Sequence, residues 1–178
     1  ISGNTATFNA TSTNSSGLAV FDITASQLSS SSIGQIQFNA NGAKGMIINV
    51  LGLDAGTLNI AANFLGGSAQ WAAQNVLWNF GDATGTIDFN SQFGGDVLAY
   101  SADVLLKQNL EGTLVAGNLT QSAEIHFDGT NPNLPVDKLM PTPLPASWTM
   151  FAAALGLMGF AAFRRKKAWT PDSLRQAA

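Results

Sequence analysis

The chain has 178 residues, which is enough for one ordinary domain and little more. Charged residues make up 11% of it, less than half of the roughly 25% typical of soluble globular domains, whereas hydrophobic residues make up 46%. This composition excludes a disordered tail, a nucleic-acid-binding protein rich in Lys and Arg and, because Cys is absent, a disulfide scaffold or a thiolate metal site.

The net charge of −3 is distributed unevenly along the chain. Residues 1–140, called the body below, carry ten acidic side chains against three lysines, Lys44, Lys107 and Lys138, and so have a net charge of −7. Five of the eight cationic side chains lie in the last fifteen residues. An acidic body and a basic end indicate two regions in different surroundings. No signal peptide is recognisable after Ile1, which leaves a processed chain and a fragment as the two interpretations.

Residues 1–130 contain many short runs that favour strands and almost none that favour a helix. Several of these runs alternate apolar and polar residues, a pattern that buries one face of a strand. From residue 57 onward Gly, Asn and Asp interrupt the pattern, and Gly and Asn tolerate the positive φ of turns. The predicted strands cover residues 6–8, 18–23, 35–38, 46–50, 57–60, 76–80, 86–89, 97–98, 104–106, 113–116 and 124–127.

Two all-β architectures fit the length and spacing of these predicted strands: a sandwich and a solenoid of stacked strands. The strands are short and charge is scarce, which favours an irregular β-solenoid (β-helix) over residues 1–130, since no fixed repeat length is visible. Asn recurs beside the strands and could form ladders between stacked turns, at Asn39, Asn49, Asn59, Asn79 and Asn90. Six hydrophobic side chains are expected to share one narrow core: Ile48, Val50, Leu77, Phe80, Leu98 and Leu114.

The composition changes near residue 131. Proline recurs up to residue 145 and removes backbone donors, so residues 131–145 are predicted to form an extended linker. Residues 146–163 carry no charge and are predicted to form a single transmembrane helix, although a buried core helix is the alternative. Residues 164–178 then form a basic tail, which the positive-inside rule places in the cytoplasm. Its membrane-anchor basic cluster consists of Arg164, Arg165, Lys166 and Lys167.

Few residues of the body have the types and spacing that catalysis needs. His126 is the only histidine, so a metal site with several imidazoles is excluded, and strand alternation places it on a polar, solvated face. Asp82 and Asp88 flank a predicted turn, and Asp96 and Asp103 flank a predicted strand. Either pair could bind Ca²⁺, but the spacing of a calcium loop is absent, and all four are interpreted as turn residues that make Asx hydrogen bonds. We therefore predict no catalytic, cofactor-binding or metal site. Folding could still gather Lys107, Glu111 and His126 on successive turns of a solenoid.

Two further patterns have a structural and a functional interpretation. Phe64, Trp71, Trp78 and Phe80 could line a carbohydrate platform, but aromatic residues beside apolar neighbours are more often core. Threonines at residues 5–7 and 11–13 resemble fragments of the ladders of ice-binding solenoids. Such a face needs the motif on several stacked turns, and the motif does not recur after residue 13.

The C-terminal part resembles a PEP-CTERM sorting signal. Pro143, Leu144 and Pro145, the apolar segment and the basic cluster follow the order of that signal, with Leu144 in place of its central Glu. The resemblance implies recognition by an exosortase, a membrane transpeptidase-like enzyme of Gram-negative bacteria that make extracellular polysaccharide.

The body resembles the choice-of-anchor A family, an adhesive domain joined to various surface anchors. The matching segments are residues 47–50, 77–80, 95–99, 111–116 and 124–126. Tyr100 stands where the family often has Pro, and the Gly-rich N-terminal turns of the family are missing, so we expect the C-terminal part of a longer domain. The resemblance implies a β-helical fold and carries over no catalytic residues.

These observations predict an exported, membrane-tethered protein with its body outside the cytoplasm. We expect a non-enzymatic adhesin or a structural protein of the extracellular matrix or biofilm, partnered by an exosortase, by the membrane through residues 146–163, and by a polysaccharide or matrix protein. Nucleic acid is not an expected partner. The alternatives are a carbohydrate-active enzyme on a β-helix and a subunit that self-associates into filaments.

Overall fold

The computed structural model describes residues 3–29, 31–66, 68–129, 131 and 133–134. A compact unit spans Ile1–Val136, and all of the described residues lie in it. The strands are β1 Thr5–Asn9, β2 Leu18–Thr24, β3 Gln35–Asn39, β4 Gly45–Leu51, β5 Thr57–Ile60, β6 Asn63–Phe64, β7 Val76–Asn79, β8 Thr86–Phe89, β9 Phe93–Gly94, β10 Asp96–Leu106, β11 Leu110–Glu111, β12 Leu114–Gln121 and β13 Ile125–His126. The helices are α1 Ala25–Leu28 and α2 Ser68–Asn75.

The strands form three sheets, and every strand pairing in the described part of the chain is parallel. One sheet has the order β1–β3–β6 and another the order β13–β11–β9. The largest has seven strands in the order β2–β4–β7–β10–β8–β5, with β12 also paired to β10. The all-β prediction is confirmed. An antiparallel sandwich does not describe these strands, since sandwiches are built from antiparallel pairs.

The register of the seven-stranded sheet aligns apolar residues from strand to strand. Phe21, Ile48, Trp78, Val97 and Leu114 occupy one row, each beside the next. All five belong to the hydrophobic core or pack against it. Because alternate residues of a strand point to opposite faces, this row fixes which positions of the sheet face the core.

The predicted core is correct for four of its six side chains. Ile48, Val50 and Phe80 are buried in it and Leu114 packs against it. Leu77 and Leu98 are also buried but lie outside this core, because each is adjacent in sequence to a core-facing residue and therefore points to the other face of the sheet.

Two predicted strands are in fact one. Residues 97–98 and 104–106 both belong to β10, which continues through a register shift between Ala99 and Asp103. The prediction separated them because the three residues after Ala99 break the alternation of apolar side chains. A β-bulge inserts unpaired residues into a strand without ending it.

Helix α2 was not predicted from the sequence. It follows a glycine pair that suggested only a turn, and it presents Ala69, Ala72 and Ala73 to the interior. Small side chains let its backbone lie close to β9, where a Cβ at Gly94 would overlap the backbone oxygen of Ala69. Alanine has the highest helix propensity, so its recurrence here was the available signal.

After β13 the chain returns across the body. We call residues 128–134, of which 130 and 132 are not described, the return segment. Asn131 Nδ2 donates to the backbone oxygen of Lys44 at 2.6 Å and to Asn75 Oδ1 at 3.0 Å. Leu134 is buried, and its side chain lies where a Cβ at Gly45 would approach within 3.2 Å. The return segment is therefore fastened to the loop that precedes β4 and to the last residue of α2.

Candidate functional site

A cluster of polar side chains joins β11, β13 and the turns beside them. Glu111 and His126 lie beside each other in the β11–β13 register, and His126 Nδ1 is 3.1 Å from Glu111 Oε1. The same oxygen accepts a hydrogen bond from Gln92 Nε2 at 2.7 Å. On its other side, His126 Nε2 is 2.8 Å from Glu124 Oε2. Glu111 is buried, and Glu124 is exposed.

The carboxylates on both sides favour the charged form of the imidazole. The hydrogen bond to Glu124 and then that to Glu111 raise the pKa of His126. As an imidazolium, His126 donates from both ring nitrogens and keeps no lone pair with which to remove a proton. The arrangement can hold β13 against β11 electrostatically, whereas a general base needs a nitrogen that is free to accept.

Lys107 joins a different acidic side chain. Its Nζ lies 2.7 Å from Asp88 Oδ2 and 3.4 Å from Asn90 Oδ1. The fold therefore brings together Glu111 and His126 of the predicted triple, but Lys107 pairs with Asp88 instead. Asp88 Oδ1 is buried and has no hydrogen-bond partner among the described residues.

The interpretation of four aspartates as turn residues is wrong for Asp88, Asp96 and Asp103. Asp88 is buried in β8, and Asp96 and Asp103 lie in β10, where Asp96 is only 1% exposed. Asp96 Oδ1 accepts from the backbone nitrogen of Thr113 at 3.0 Å and from Thr113 Oγ1 at 2.5 Å. Burial raises the pKa of Asp96, and the two hydrogen bonds from Thr113 oppose this effect. Asp88 lies inside the predicted strand over residues 86–89, where Ile87 and Phe89 flank it, so its interpretation as a turn residue was inconsistent with that strand.

A polar ladder crosses the outer face of the seven-stranded sheet. Asn49 Nδ2 donates to Asp22 Oδ1 at 2.8 Å, and Asn79 Nδ2 donates to Asn49 Oδ1 at 2.9 Å. Asn79 Oδ1 then accepts from the backbone nitrogen of Gly81. The expected asparagine ladder is thus present at Asn49 and Asn79, and it ends at β10, where Leu98 takes the next position.

The aromatic residues divide between core and surface. Trp78 and Phe80 are fully buried, as the core interpretation predicts. Trp71 and Phe38 are half-buried, with their ring centroids 5.6 Å apart, and they line an open cavity of about 290 Å³ together with Ala40, Gly66 and Ser68. Aromatic faces beside a few polar groups are typical of small-ligand sites.

The threonine motif near the N-terminus does not continue on the next strand. The β1–β3 register places Gln35 beside Thr5 and Gln37 beside Thr7, and Thr5 Oγ1 donates to Gln35 Oε1 at 3.0 Å. A threonine ladder would need Thr at both β3 positions. Within the described residues, no group of three His, Asp or Glu side chains could hold a metal ion.

The sorting motif Pro143, Leu144 and Pro145, the predicted helix over 146–163 and the basic cluster lie outside the described residues. In the part of the chain that the structure does describe, no helix is long and apolar enough to cross a membrane.

Comparison with known proteins identifies two families along the chain. A family model described as "Putative Ice-binding-like adhesive domain" matches residues 1–127. A second, described as "PEP-CTERM protein-sorting motif", matches residues 141–166. Both resemblances inferred from the residues are confirmed. No curated protein and no solved structure matches the chain.

Proposed function

This chain belongs to the family of ice-binding-like adhesive domains, and from that membership we propose that it is a surface-anchored adhesin or a structural component of the extracellular matrix. The observation that carries the proposal is the order of the two matches, an adhesive domain at residues 1–127 followed by a sorting motif at 141–166. That motif is a signal for export and for sorting toward the cell surface, and exosortase is the enzyme that recognises it.

We propose that the parallel sheets form an irregular β-solenoid, in which the seven-stranded sheet covers two faces because β10 pairs first with β7 and then with β8. The register supports this: Leu18 pairs with Gly45, 27 residues later, and Met46 pairs with Val76, 30 residues later. Further on the separation falls, since Val97 pairs with Leu114 after 17 residues. A chain that returns to the same sheet at unequal intervals, always in parallel, is typical of turns of different length stacked along one axis.

The body acts in this proposal without catalysis. Support comes from the titratable groups of the described residues: both nitrogens of His126 are engaged by carboxylates, and Lys107 is engaged by Asp88. A rival carbohydrate-active enzyme would need a proton acceptor and donors directed at a substrate. The expected result of a turnover assay on acidic and neutral polysaccharides is therefore no cleavage. Cleavage that a His126→Ala, Lys107→Ala double variant loses would overturn this part of the proposal.

Polysaccharide is the ligand class that the cavity beside Trp71 favours. The aromatic rings of Trp71 and Phe38 line the cavity, and aromatic side chains can pack against the apolar face of a sugar ring. Among the described residues no cation lines the cavity, and the body is acidic, so neutral sugars fit it better than uronic acids.

The experiment is to display the full chain, preceded by a supplied signal peptide, on a bacterium that has an exosortase. We expect surface exposure of the body and adhesion to polysaccharide-coated surfaces. Trp71→Ala should lower adhesion without lowering surface display, whereas Trp71→Phe should retain most of it. A displayed protein that confers no adhesion to polysaccharide or matrix protein contradicts the adhesin role.

A further inference from the structure

Strand β12 is an unprotected edge of the seven-stranded sheet. In the described part of the chain it pairs only with β10, and its residues 117–121 are exposed. It is eight residues long and contains neither a charged residue nor a proline. Edge strands present unpaired N–H and C=O groups, and proteins ordinarily protect them with charge, proline or a covering segment. β12 has none of these in its own sequence.

The hydrophobic core is open at this edge. Leu119 is 43% exposed and Phe127, just after β13, is 67% exposed, and both belong to the few large hydrophobic side chains exposed among the described residues. In the β10–β12 register Leu119 lies beside Val104, which is 1% exposed and part of the core. Leu119 therefore continues a row of the core at a place where no further strand follows among the described residues.

The side chains of β12 are arranged so that the strand is complementary to itself. Its core-facing positions are those beside core residues of β10, namely Leu114, Ala116, Leu119 and Gln121. Antiparallel pairing of two β12 strands about the midpoint between residues 117 and 118 puts Leu114 opposite Gln121 and Ala116 opposite Leu119. Core-facing positions thus meet core-facing positions, and outward positions such as Val115 and Thr120 also meet each other.

We propose that a second copy of this chain pairs its β12 with β12 across a twofold axis, so that the two cores become continuous. Charge favours this edge over other surfaces, because the body has a net charge of −7 and two copies repel each other elsewhere, whereas β12 is uncharged. A contact in which both partners use the same surface is closed and gives dimers, not filaments.

The absence of cysteine from the chain permits a geometric test. In the proposed pairing Val115 and Thr120 of opposite copies are directly across from each other, at the roughly 4.5–5.5 Å that suits a disulfide. The full-length Val115→Cys, Thr120→Cys double variant, in detergent micelles under mild oxidation, should form a disulfide-linked dimer on a non-reducing gel. Each single variant is the matched control, since the two copies of one position lie about 17 Å apart and should not be linked.

A second pair of variants distinguishes specific pairing of two β12 strands from cross-linking by random encounters between cysteines. Leu119→Lys in the double-cysteine background should abolish the cross-link, because it places charge on an edge that two copies share. Val20→Lys, at an equally exposed apolar position of β2, should leave the cross-link intact. Equal cross-linking of single and double variants, a ladder of species larger than dimers, or a double variant that stays monomeric would each overturn the proposal.

Discussion

Burial sets three carboxyl groups apart from the other acidic side chains of the described residues: Asp88, Asp96 and Glu111. Desolvation disfavours a charged carboxylate, so each needs compensation from its neighbours. Lys107 supplies a full positive charge to Asp88, and His126 a pH-dependent one to Glu111. Asp96 receives only the two neutral hydrogen bonds of Thr113, and burial raises its pKa.

Replacing Asp96 with Asn should change how the free energy of unfolding depends on pH. Because the pKa of Asp96 is raised in the folded state above its ordinary value of 3.8, stability is lost as the pH rises from that ordinary value through the folded one. The free energy of unfolding of Asp96→Asn minus that of the wild type should thus be larger at pH 7 than at pH 4. Urea unfolding at both pH values measures this difference. Asp103→Asn, at an exposed position of the same strand, is the control. An identical pH dependence in wild type and Asp96→Asn contradicts the expectation.

His126 should stabilise the fold only while it is charged. Its folded pKa is raised above 6.5, so its contribution is fully present below pH 6.5 and disappears as the pH rises through the folded value. The stability difference between wild type and His126→Gln, followed by thermal unfolding from pH 5.5 to 9, should therefore shrink with rising pH. Since His126 is the only histidine, no other imidazole contributes to this difference. A constant difference across the range would show that charge has no part in it.

Among the elements, the strands of four or more residues were predictable, whereas of the two-residue strands only β13 was. β5 and β8 agree with the predicted ranges at both ends, because their apolar residues recur with the period of a strand. β6, β9 and β11 have two residues each, too few for any period, and pairing with neighbouring strands fixes them. The same limit applies to the Glu111–His126 contact, since register between distant segments cannot be derived from local patterns.

A core substitution in β4 tests the register. Ile48→Ala removes a fully buried side chain from the row that contains Trp78, and should lower the free energy of unfolding by about 2–5 kcal/mol. Val20→Ala removes a side chain that is 51% exposed, and should change it by about 0.5 kcal/mol or less. Chemical unfolding followed by circular dichroism measures both. Equal effects of the two substitutions would mean that the register of β2 and β4 is misassigned.

At the scale of the whole molecule, the acidic body and the basic end fit the proposed division between outside and inside of a membrane. The body carries the adhesive domain, and the basic cluster overlaps the end of the sorting motif. Positive charge after an apolar segment keeps that end in the cytoplasm. The distribution of charge along the sequence was enough to predict this division.

Removing the charge of Arg164, Arg165, Lys166 and Lys167 should therefore weaken retention in the membrane. With a signal peptide supplied, the neutralised chain should appear in the culture medium in larger amount than the wild type, measured by immunoblotting of fractions. Neutralising Lys44 and Lys138 in the body is the control and should not alter retention. The orientation is wrong if residues 1–130 are protected from protease in intact spheroplasts.

The place where the return segment is fastened determines how the molecule responds to tension. A pull on the chain beyond Leu134 reaches the hydrogen bonds of Asn131 to Lys44 and Asn75 before it reaches any strand of the sheets. Detachment of residues 128–134 would release a segment whose fully extended length is about 24 Å, so the molecule could lengthen by less than this while the sheets stay paired. In optical-tweezers extension from residue 136, we expect an early step shorter than this length that Asn131→Ala abolishes. Rupture of the whole body in a single event, with the wild type and Asn131→Ala alike, would mean that tension bypasses the segment.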